Sequence, residues 1–156
     1  MGLMLCKALL VNSDAHDLRE AASGFFLHDL GKVNIRAEVI NKQGRLTDDE
    51  MFHMRTHPVK GYKLLEKAGE MTDEAKVIIL QHHERFDGSG YPKQLKGDEI
   101  HILAQICSIT DVFDALMSGR SYKKGLSSFD TLQFMKTKMA GEFDKDLFAA
   151  FVQVLH

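Results

Sequence analysis

The sequence predicts an all-α fold, a helical bundle interrupted by one long loop. Three observations support this prediction. Only 2 of the 156 residues are proline, so few helix interiors are broken. Apolar residues recur at intervals of three and four over most of the chain, and strand-like alternation never lasts more than a few residues. The length and the 44% apolar fraction suit a single globular domain.

The first strongly periodic segment runs from Asp17 to Leu30, where apolar residues at helical spacing predict a helix. Gly31 follows as a natural stop for that helix. Thr47, with a carboxylate three residues later, has the pattern of a capping box and predicts a second helix that runs to about Thr56. Pro58 must then break or restart the helix.

Thr72 and the two carboxylates after it predict a third helix through about Gln81. Residues Glu84–Glu99 lose this periodicity and predict the one long loop, rich in glycine. The segment after the loop is predicted to be a core helix, because its apolar residues step by four and three: Ile102, Ile106, Ile109, Phe113 and Leu116. A neighbouring stripe of small residues holds Asp111 in its middle.

The last two helices are predicted at Ser127–Ala140 and Asp144–Leu155, each opened by a capping side chain. Apolar positions at helical spacing mark the faces that these helices should bury. These positions are Phe129, Leu132, Met135 and Met139 in the first helix, and Leu147, Phe151 and Leu155 in the second.

The charge balance excludes several classes of function. Twenty basic and twenty-two acidic side chains give a net charge of -2, so no uniform field exists to hold DNA or an anionic membrane.

The longest apolar stretch, Leu3–Val11, is broken by Lys7 and is far shorter than the ~18 residues of a membrane helix. The N-terminal segment does not have the pattern of a signal peptide. The sequence therefore predicts a cytoplasmic protein. Cys6 and Cys107 are predicted to be buried, unpaired thiols.

Eight histidines are an unusual supply of imidazole. His28 and Asp29 lie at the end of a predicted apolar helix, where a charged Asp is costly unless it is compensated, so the two residues are a candidate functional pair. The alternative is a histidine that interacts with the helix dipole beside an exposed carboxylate. The adjacent His82 and His83 end another helix, and such a pair is more often two helix-end imidazoles than two metal ligands. Asp111 lies in an otherwise apolar and small-residue helix, so it needs a cation or donors; the alternative is an Asp that caps a neighbouring helix.

His57 precedes Pro58 at the predicted helix break, where the backbone need not follow the helix face. His53 is interpreted as a surface residue. The remaining histidines have no comparable setting: His16, His101 and His156. Four imidazoles and two carboxylates exceed the needs of one tetrahedral zinc and fit two metals that share a carboxylate: His28, Asp29, His57, His82, His83 and Asp111. Without thiolates, this set leaves iron, manganese, nickel and zinc as options.

An ordered set of motifs resembles the HD-GYP domain. The matching segments cover about residues 15 to 156 and are 27–32 (LHDLGK), 57–61 (HPVKG), 82–92 (HHERFDGSGYP), 111–116 (DVFDAL) and 120–123 (RSYK). The uninterrupted HHE and DGSGYP block makes this resemblance specific. It implies a single domain over residues 1–156, an HD-type helical bundle with one long loop that contains the GYP motif.

The resemblance implies a bacterial phosphodiesterase that opens cyclic di-GMP to linear pGpG and in some members continues to GMP. Two or three divalent metals, commonly iron or manganese, would be bound, with Asp29 as the bridging ligand. Metals of this kind lower the pKa of bound water and offset charge on phosphoryl oxygens. Lys32 matches a lysine that contacts the scissile phosphate, the alternative being an ordinary surface lysine. Asp114, Arg120 and Lys123 match positions that contact the dinucleotide.

Tyr91 is predicted to line the wall that holds a nucleobase, the alternative being a ring that packs on Pro92. The family pattern also includes a histidine ligand on a helix further upstream, and this chain has no match for it. Residues 1–14 are therefore interpreted as the tail of an incomplete first helix, and the chain as a fragment of a longer signalling protein. His16 is a poor substitute for the missing ligand.

Two alternatives to a cyclic di-GMP phosphodiesterase remain open. One keeps the reaction and changes the substrate to another cyclic dinucleotide such as cyclic GMP-AMP. The other is a non-catalytic signalling module that binds a nucleotide, or a GGDEF-domain partner, through the loop around Tyr91. Catalysis ranks first because every metal ligand from His28 onward is present.

Overall fold

The computed structural model of the protein describes residues 1–10, 18–69, 71–118 and 125–155. Within these ranges the chain forms helices and no strand, which confirms the all-α prediction. The helices are α1 (Gly2–Leu10), α2 (Leu18–Leu27), α3 (Ala37–Ile40), α4 (Asp48–Met54), α5 (His57–Ala68), α6 (Asp73–Gln81), α7 (Ile102–Ser118), α8 (Ser128–Lys138) and α9 (Lys145–Val154). Two short 3-10 helices lie at Leu30–Asn34 and Gly97–Glu99. Between α6 and the second of them, residues 84–96 form turns and bends.

Helix α7 is the centre of the bundle, as its apolar spacing predicts. It packs against α1, α6, α8 and α9. The side chains of Leu103, Ile106, Ile109 and Phe113 are all nearly inaccessible to solvent. Phe113 meets Phe151 of α9 edge to face, with ring centres 5.2 Å apart. Burial of this continuous apolar stripe is the main source of stability for the fold.

Side-chain caps fix where four of the helices begin. Thr47 forms a complete capping box with Glu50, which confirms the start of α4. The side chains that cap α6, α8 and α9 each accept a backbone N–H from the first turn: Thr72, Ser127 and Asp144. The predicted starts of these four helices agree with the structure within one residue. The predicted restart at Pro58 is also confirmed, because α5 begins at His57 with Pro58 in its first turn.

The prediction of one helix from Asp17 to Leu30 with a stop at Gly31 is wrong at its C-terminal end. Helix α2 ends at Leu27, and Gly31 lies inside the first 3-10 helix; Asp17 itself lies outside the described residues. A Cβ atom at Gly31 would overlap the carbonyl oxygen of His57 and lie 2.5 Å from the backbone nitrogen of Gly61. Glycine is therefore needed here because two backbones touch.

The apolar face predicted for α8 is only partly buried. Met135 is inaccessible, whereas Phe129 is 75% exposed, so the prediction that Phe129 is buried is wrong. A cavity of about 660 Å³ separates α8 from α9 at this point. Cys6 and Cys107 are both buried and free, as predicted. In the part of the chain that the structure describes, every helix is too short or too polar to cross a lipid bilayer.

Candidate metal centre

Six side chains that are distant in sequence come together on one side of α7. His28 and Asp29 follow the end of α2, His57 is the first residue of α5, His82 and His83 follow α6, and Asp111 lies in the middle of α7. One group of ligand atoms within 4.8 Å of one another comes from Asp29, His57, His82 and His83, and a second from His28, Asp29 and Asp111. Asp29 belongs to both groups. The structure thus brings together the whole set of predicted ligands.

Backbone packing places these residues. Helix α2 packs along α6, and the first 3-10 helix packs on α5, where Gly31 touches the backbone of His57. This contact holds Asp29 beside His57. His53 lies on α4 outside both groups and is half-buried; its Nε2 atom accepts a hydrogen bond from the backbone N–H of Arg36 at 3.2 Å. The helix break before His57 therefore separates this candidate ligand from His53, four residues earlier.

Three of the imidazoles share one hydrogen-bond arrangement. The Nδ1 atoms of His28, His57 and His82 lie 2.8, 2.8 and 2.9 Å from the carbonyl oxygen three residues earlier, which belong to Phe25, Met54 and Ile79. A carbonyl oxygen only accepts, so in the neutral ring the proton is on Nδ1. Each ring consequently turns the lone pair of Nε2 inward.

In this tautomer the inward atoms of His57 and His82 are both acceptors, and they lie close to each other and to Asp29. His57 Nε2 is 3.3 Å from His82 Nε2 and 3.2 Å from Asp29 Oδ1. His82 Nε2 is 3.9 Å from the same oxygen. Asp29 Oδ1 is buried and has no hydrogen-bond donor among the described residues. Tetrahedral ligands at about 2.0 Å from a cation are roughly 3.3 Å apart, so this donor set fits a metal ion.

The second group lies on the other side of Asp29. His28 Nε2 is 3.7 Å from Asp29 Oδ2 and 3.8 Å from Asp111 Oδ1. Burial alone would lower the pKa of His28, but Asp111 and Asp29 outweigh it and raise that pKa above its ordinary value. Burial alone would raise the pKa of Asp111, but the neighbouring His28 lowers it. The group therefore combines one imidazole with two ionised carboxylates.

Electrostatics keep the histidine pair neutral and Asp29 charged. Burial, together with His28 and His57, holds the pKa of His82 well below its ordinary value. Burial and the neighbouring His82 and His57 lower the pKa of His83 further still. Burial alone would raise the pKa of Asp29, but the contacts with His57 and Lys32 outweigh it and hold that pKa far below its usual range. Neutral imidazoles around a carboxylate are the protonation states that metal binding requires.

The centre is closed at its base and open at its mouth. The side chains of His57 and His82 are 1% and 0% exposed, whereas those of Asp29 and Asp111 are 36% and 28% exposed. Lys32 is at this mouth, with its Nζ atom 2.5 Å from Asp29 Oδ2. An anion that approaches from solvent would meet Lys32 beside the two carboxylates.

The loop after His83 folds back over the centre. The ring of Tyr91 stacks on the ring of His83 with centres 4.8 Å apart and planes inclined by 26°. The backbone N–H of Tyr91 donates to the carbonyl of His83 at 3.1 Å, and the Tyr91–Pro92 peptide bond is cis. A Cβ atom at Gly90 would lie 2.5 Å from the Cα atom of Glu84, so glycine is needed for this close return.

Glu84 and Arg85 position this loop, and sequence reasoning assigned them no role. Glu84 is 2% exposed, and its carboxyl oxygens accept the backbone N–H groups of Lys93 and Leu95 at 2.7 and 3.1 Å. Arg85 donates to Ser108 Oγ on α7 at 2.6 Å and to the side chain of Glu142, between α8 and α9, at 3.2 Å. The sequence shows only a carboxylate directly after two adjacent histidines, which does not reveal that Glu84 is buried or that it holds the loop.

Of the three predicted dinucleotide contacts after the loop, Asp114, Arg120 and Lys123, the structure describes only Asp114. Asp114 is exposed on α7, one turn after Asp111. Arg120 and Lys123 lie outside the described residues, as do His16 and His156.

Comparison with known proteins agrees with this geometry. The sequence profile of the HD domain family matches residues 1–147. The chain is 38% identical over 138 residues to a cyclic di-GMP phosphodiesterase of Pseudomonas aeruginosa, covering 88% of this chain and 33% of that protein. It is 43% identical over 119 residues to the cyclic di-GMP phosphodiesterase response regulator RpfG of Xanthomonas campestris pv. campestris, covering 76% of this chain and 32% of RpfG.

The chain is also 42% identical over 115 residues to the 3'3'-cGAMP-specific phosphodiesterase 2 of Vibrio cholerae, covering 73% of this chain and 22% of that enzyme. It thus spans about a third or less of the length of these relatives. Among solved structures, Bd1817, an HDG"Y"P protein from Bdellovibrio bacteriovorus, matches with a TM-score of 0.76 and 19% identity over 99% of this chain and 50% of that chain. This last similarity shows a shared fold.

Proposed function

Since the chain belongs to the HD domain family and to its HD-GYP group, we propose that it carries the catalytic centre of a metal-dependent cyclic dinucleotide phosphodiesterase. The observation that supports this most is the close meeting of His57 Nε2, His82 Nε2 and the buried Asp29 Oδ1, an oxygen with no hydrogen-bond donor among the described residues. With both imidazoles neutral and protonated on Nδ1, a metal cation would satisfy these three acceptors together.

The two ligand groups would hold two divalent ions with Asp29 shared between them. One group consists of Asp29, His57, His82 and His83, and the other of His28, Asp29 and Asp111. When bound, such ions lower the pKa of water and offset negative charge on phosphoryl oxygens. Nitrogen and oxygen ligands suit iron, manganese, nickel or zinc, and the resemblance to the HD-GYP family puts iron or manganese first. A third ion would need ligands beyond these six.

Residues of the chain itself would orient the substrate. Lys32, a compact cation at the open mouth, would move from Asp29 to the scissile phosphate and balance its charge as the transition state forms. Asp114, Arg120 and Lys123 remain predicted contacts to the dinucleotide, and Tyr91 a wall beside it. Burial raises the pKa of Tyr91, so this side chain stays a neutral phenol.

We propose cyclic di-GMP as the substrate, with linear pGpG and then GMP as products. Support comes from the names of the relatives at 38% and 43% identity. A 3'3'-cyclic GMP-AMP substrate is the second candidate, because a relative specific for it is 42% identical. The proposed reaction takes place in the cytoplasm, where the sequence predicts the protein to be. GGDEF-domain partners for the loop around Tyr91 stay a prediction.

Anaerobically purified protein, assayed for metal content and for products by chromatography, tests this function. We expect bound divalent metal and conversion of cyclic di-GMP to pGpG. Asp29→Asn should lose metal and lower turnover at least 100-fold, whereas Asp73→Asn, at a side chain 91% exposed, should change neither. Metal-loaded protein that binds cyclic dinucleotides but leaves all of them intact would favour the non-catalytic alternative.

A further inference from the structure

A second cation lies at the border of the centre. Arg55 is an exposed residue that follows the last residue of α4, two positions before His57. The central carbon of its guanidinium group is 5.3 Å from the centre of the Tyr91 ring. This places a positive charge over the GYP loop although the two segments are 36 residues apart in sequence.

Tyr91 connects Arg55 to the metal ligands. The Tyr91 ring stacks on His83 at 4.8 Å and meets His57 edge-on at 6.5 Å. The guanidinium group is therefore no more than about 10 Å from the centre of the His83 ring. A cation held over an aromatic face is attracted to it and loses rotational freedom. The side chain of Arg55 is in this sense oriented before a ligand arrives.

The described residues leave the donors of Arg55 without a hydrogen-bond acceptor. Among the residues that the structure describes, its guanidinium group forms no hydrogen bond and no ion pair. Arg85, by contrast, donates hydrogen bonds to Ser108, Glu142 and the carbonyl of Glu84. Lys32 is paired with Asp29. Arg55 thus differs from its basic neighbours in having a planar set of donors available beside the centre.

We propose that Arg55 binds the non-scissile phosphate of a cyclic dinucleotide, an inference that rests on the proposed function. Such a substrate carries two phosphodiesters in one ring. When one lies at the metal ligands and Lys32, the other must lie several ångströms away with its charge uncompensated by that cluster. The fork of a guanidinium group matches two phosphate oxygens, and a lysine ammonium does not. Arg55 would therefore contribute to substrate affinity and to the preference for dinucleotides over simple phosphodiesters.

The test compares two substrates on the metal-loaded protein: cyclic di-GMP, and bis(p-nitrophenyl) phosphate, which has only the phosphate that reacts. We expect Arg55→Ala to raise KM for cyclic di-GMP at least tenfold with kcat changed less than threefold. Its loss in kcat/KM should be at least tenfold larger for cyclic di-GMP than for the simple ester. Arg55→Lys should recover only part of the loss, because it restores charge without the fork.

Arg45→Ala is the matched control, since Arg45 is exposed in the loop before α4; it should leave both substrates unaffected. Equal losses on both substrates, or an unchanged KM for cyclic di-GMP, would overturn the role of Arg55.

The dissociation constant of a phosphorothioate analogue of cyclic di-GMP, measured on the same variants, separates this result from the proposed function. If the wild-type protein binds the analogue but cleaves nothing, the proposed function fails, and the role of Arg55 is decided by whether Arg55→Ala weakens that binding tenfold. If the wild-type protein does not bind it, both fail.

Discussion

The position of a single proton decides the chemistry of His28, His57 and His82. The three carbonyl oxygens that hold the Nδ1 protons all belong to the last turn of a helix: α2, α4 and α6. Carbonyls in the last turn lack a donor from their own helix. The same contact therefore satisfies an unpaired backbone acceptor and fixes which nitrogen remains free for a metal. This is how short helix ends, and not the helix faces, build the centre.

A comparison of two histidines in neighbouring positions checks this role. We expect His57→Ala to reduce metal content and to lower turnover at least 100-fold, because it removes a buried ligand. His53→Ala, four residues earlier and outside both ligand groups, should keep wild-type metal content. Metal analysis and kinetics on both variants decide the matter. Equal metal content in the two would contradict the assignment of His57.

At the scale of elements, the loop between α6 and α7 depends on one carboxyl group. Glu84 accepts two backbone N–H groups from residues nine and eleven positions later. Because Tyr91 lies inside the segment that these bonds close, the stack of Tyr91 on His83 depends on Glu84. Glu84 thus shapes the wall of the candidate centre through the loop.

Glu84→Ala should lower the free energy of unfolding by about 3 kcal/mol, since the backbone N–H groups of Lys93 and Leu95 lose their charged acceptor. Glu84→Gln keeps one acceptor oxygen and should lose roughly half as much. Urea unfolding gives the free energies, and proteolysis within residues 86–97 reports the loop. Equal stability of Glu84→Ala and the wild type would show that the loop holds without this residue.

The contact of the first 3-10 helix with α5 depends on Gly31. Gly31→Ala should destabilise the protein by about 3 kcal/mol and weaken metal binding, because the new Cβ atom overlaps the backbone of His57. Gly69→Ala is the control for glycine strain alone: Gly69 has φ of 77° and no atom near its would-be Cβ. Its cost should be about 1 kcal/mol, with metal content unchanged. Thermal unfolding and metal analysis separate the two.

Most elements followed from the sequence because caps and apolar spacing are local signals. Thr47, Thr72 and Asp144 begin helices for reasons contained in the next four residues. The prediction that Gly31 ends the helix was wrong because a glycine after a helix has the same sequence pattern whether it ends that helix or allows another backbone to approach. The prediction that Phe129 is buried was wrong because its spacing fits an apolar face, whereas its burial depends on how α8 packs against α9.

At the scale of the whole molecule, the centre ties together residues from position 28 to position 111. The meeting of all six candidate ligands could be predicted, because an ordered motif set records which positions come together even when no local pattern does. Arg55 and Glu84 could not be assigned a role in this way. Their roles depend on where the loop lies after folding, and neither the spacing of Arg55 nor that of Glu84 carries that information.

Metal removal should therefore weaken the whole fold. An ion present at 100 to 1,000 times its dissociation constant stabilises a protein by about 3–4 kcal/mol, which corresponds to roughly 5–15 °C in Tm for a chain of this size. We expect a chelator to lower Tm by that amount and added metal to restore it. Asp29→Asn should show no such shift. Calorimetry with and without chelator measures both, and an unshifted wild-type Tm would contradict a metal centre in the bundle.

The sharing of Asp29 between two ligand groups also bears on when the protein acquires its ions. The ligands come from four separate stretches of the chain and are far apart in an unfolded polypeptide, so no part of the centre exists before the helices have docked. Loading of the proposed ions would then follow the docking of α2, α5, α6 and α7. With nitrogen and oxygen donors that suit several transition metals, the element that a cell installs will follow the supply in the compartment at that moment.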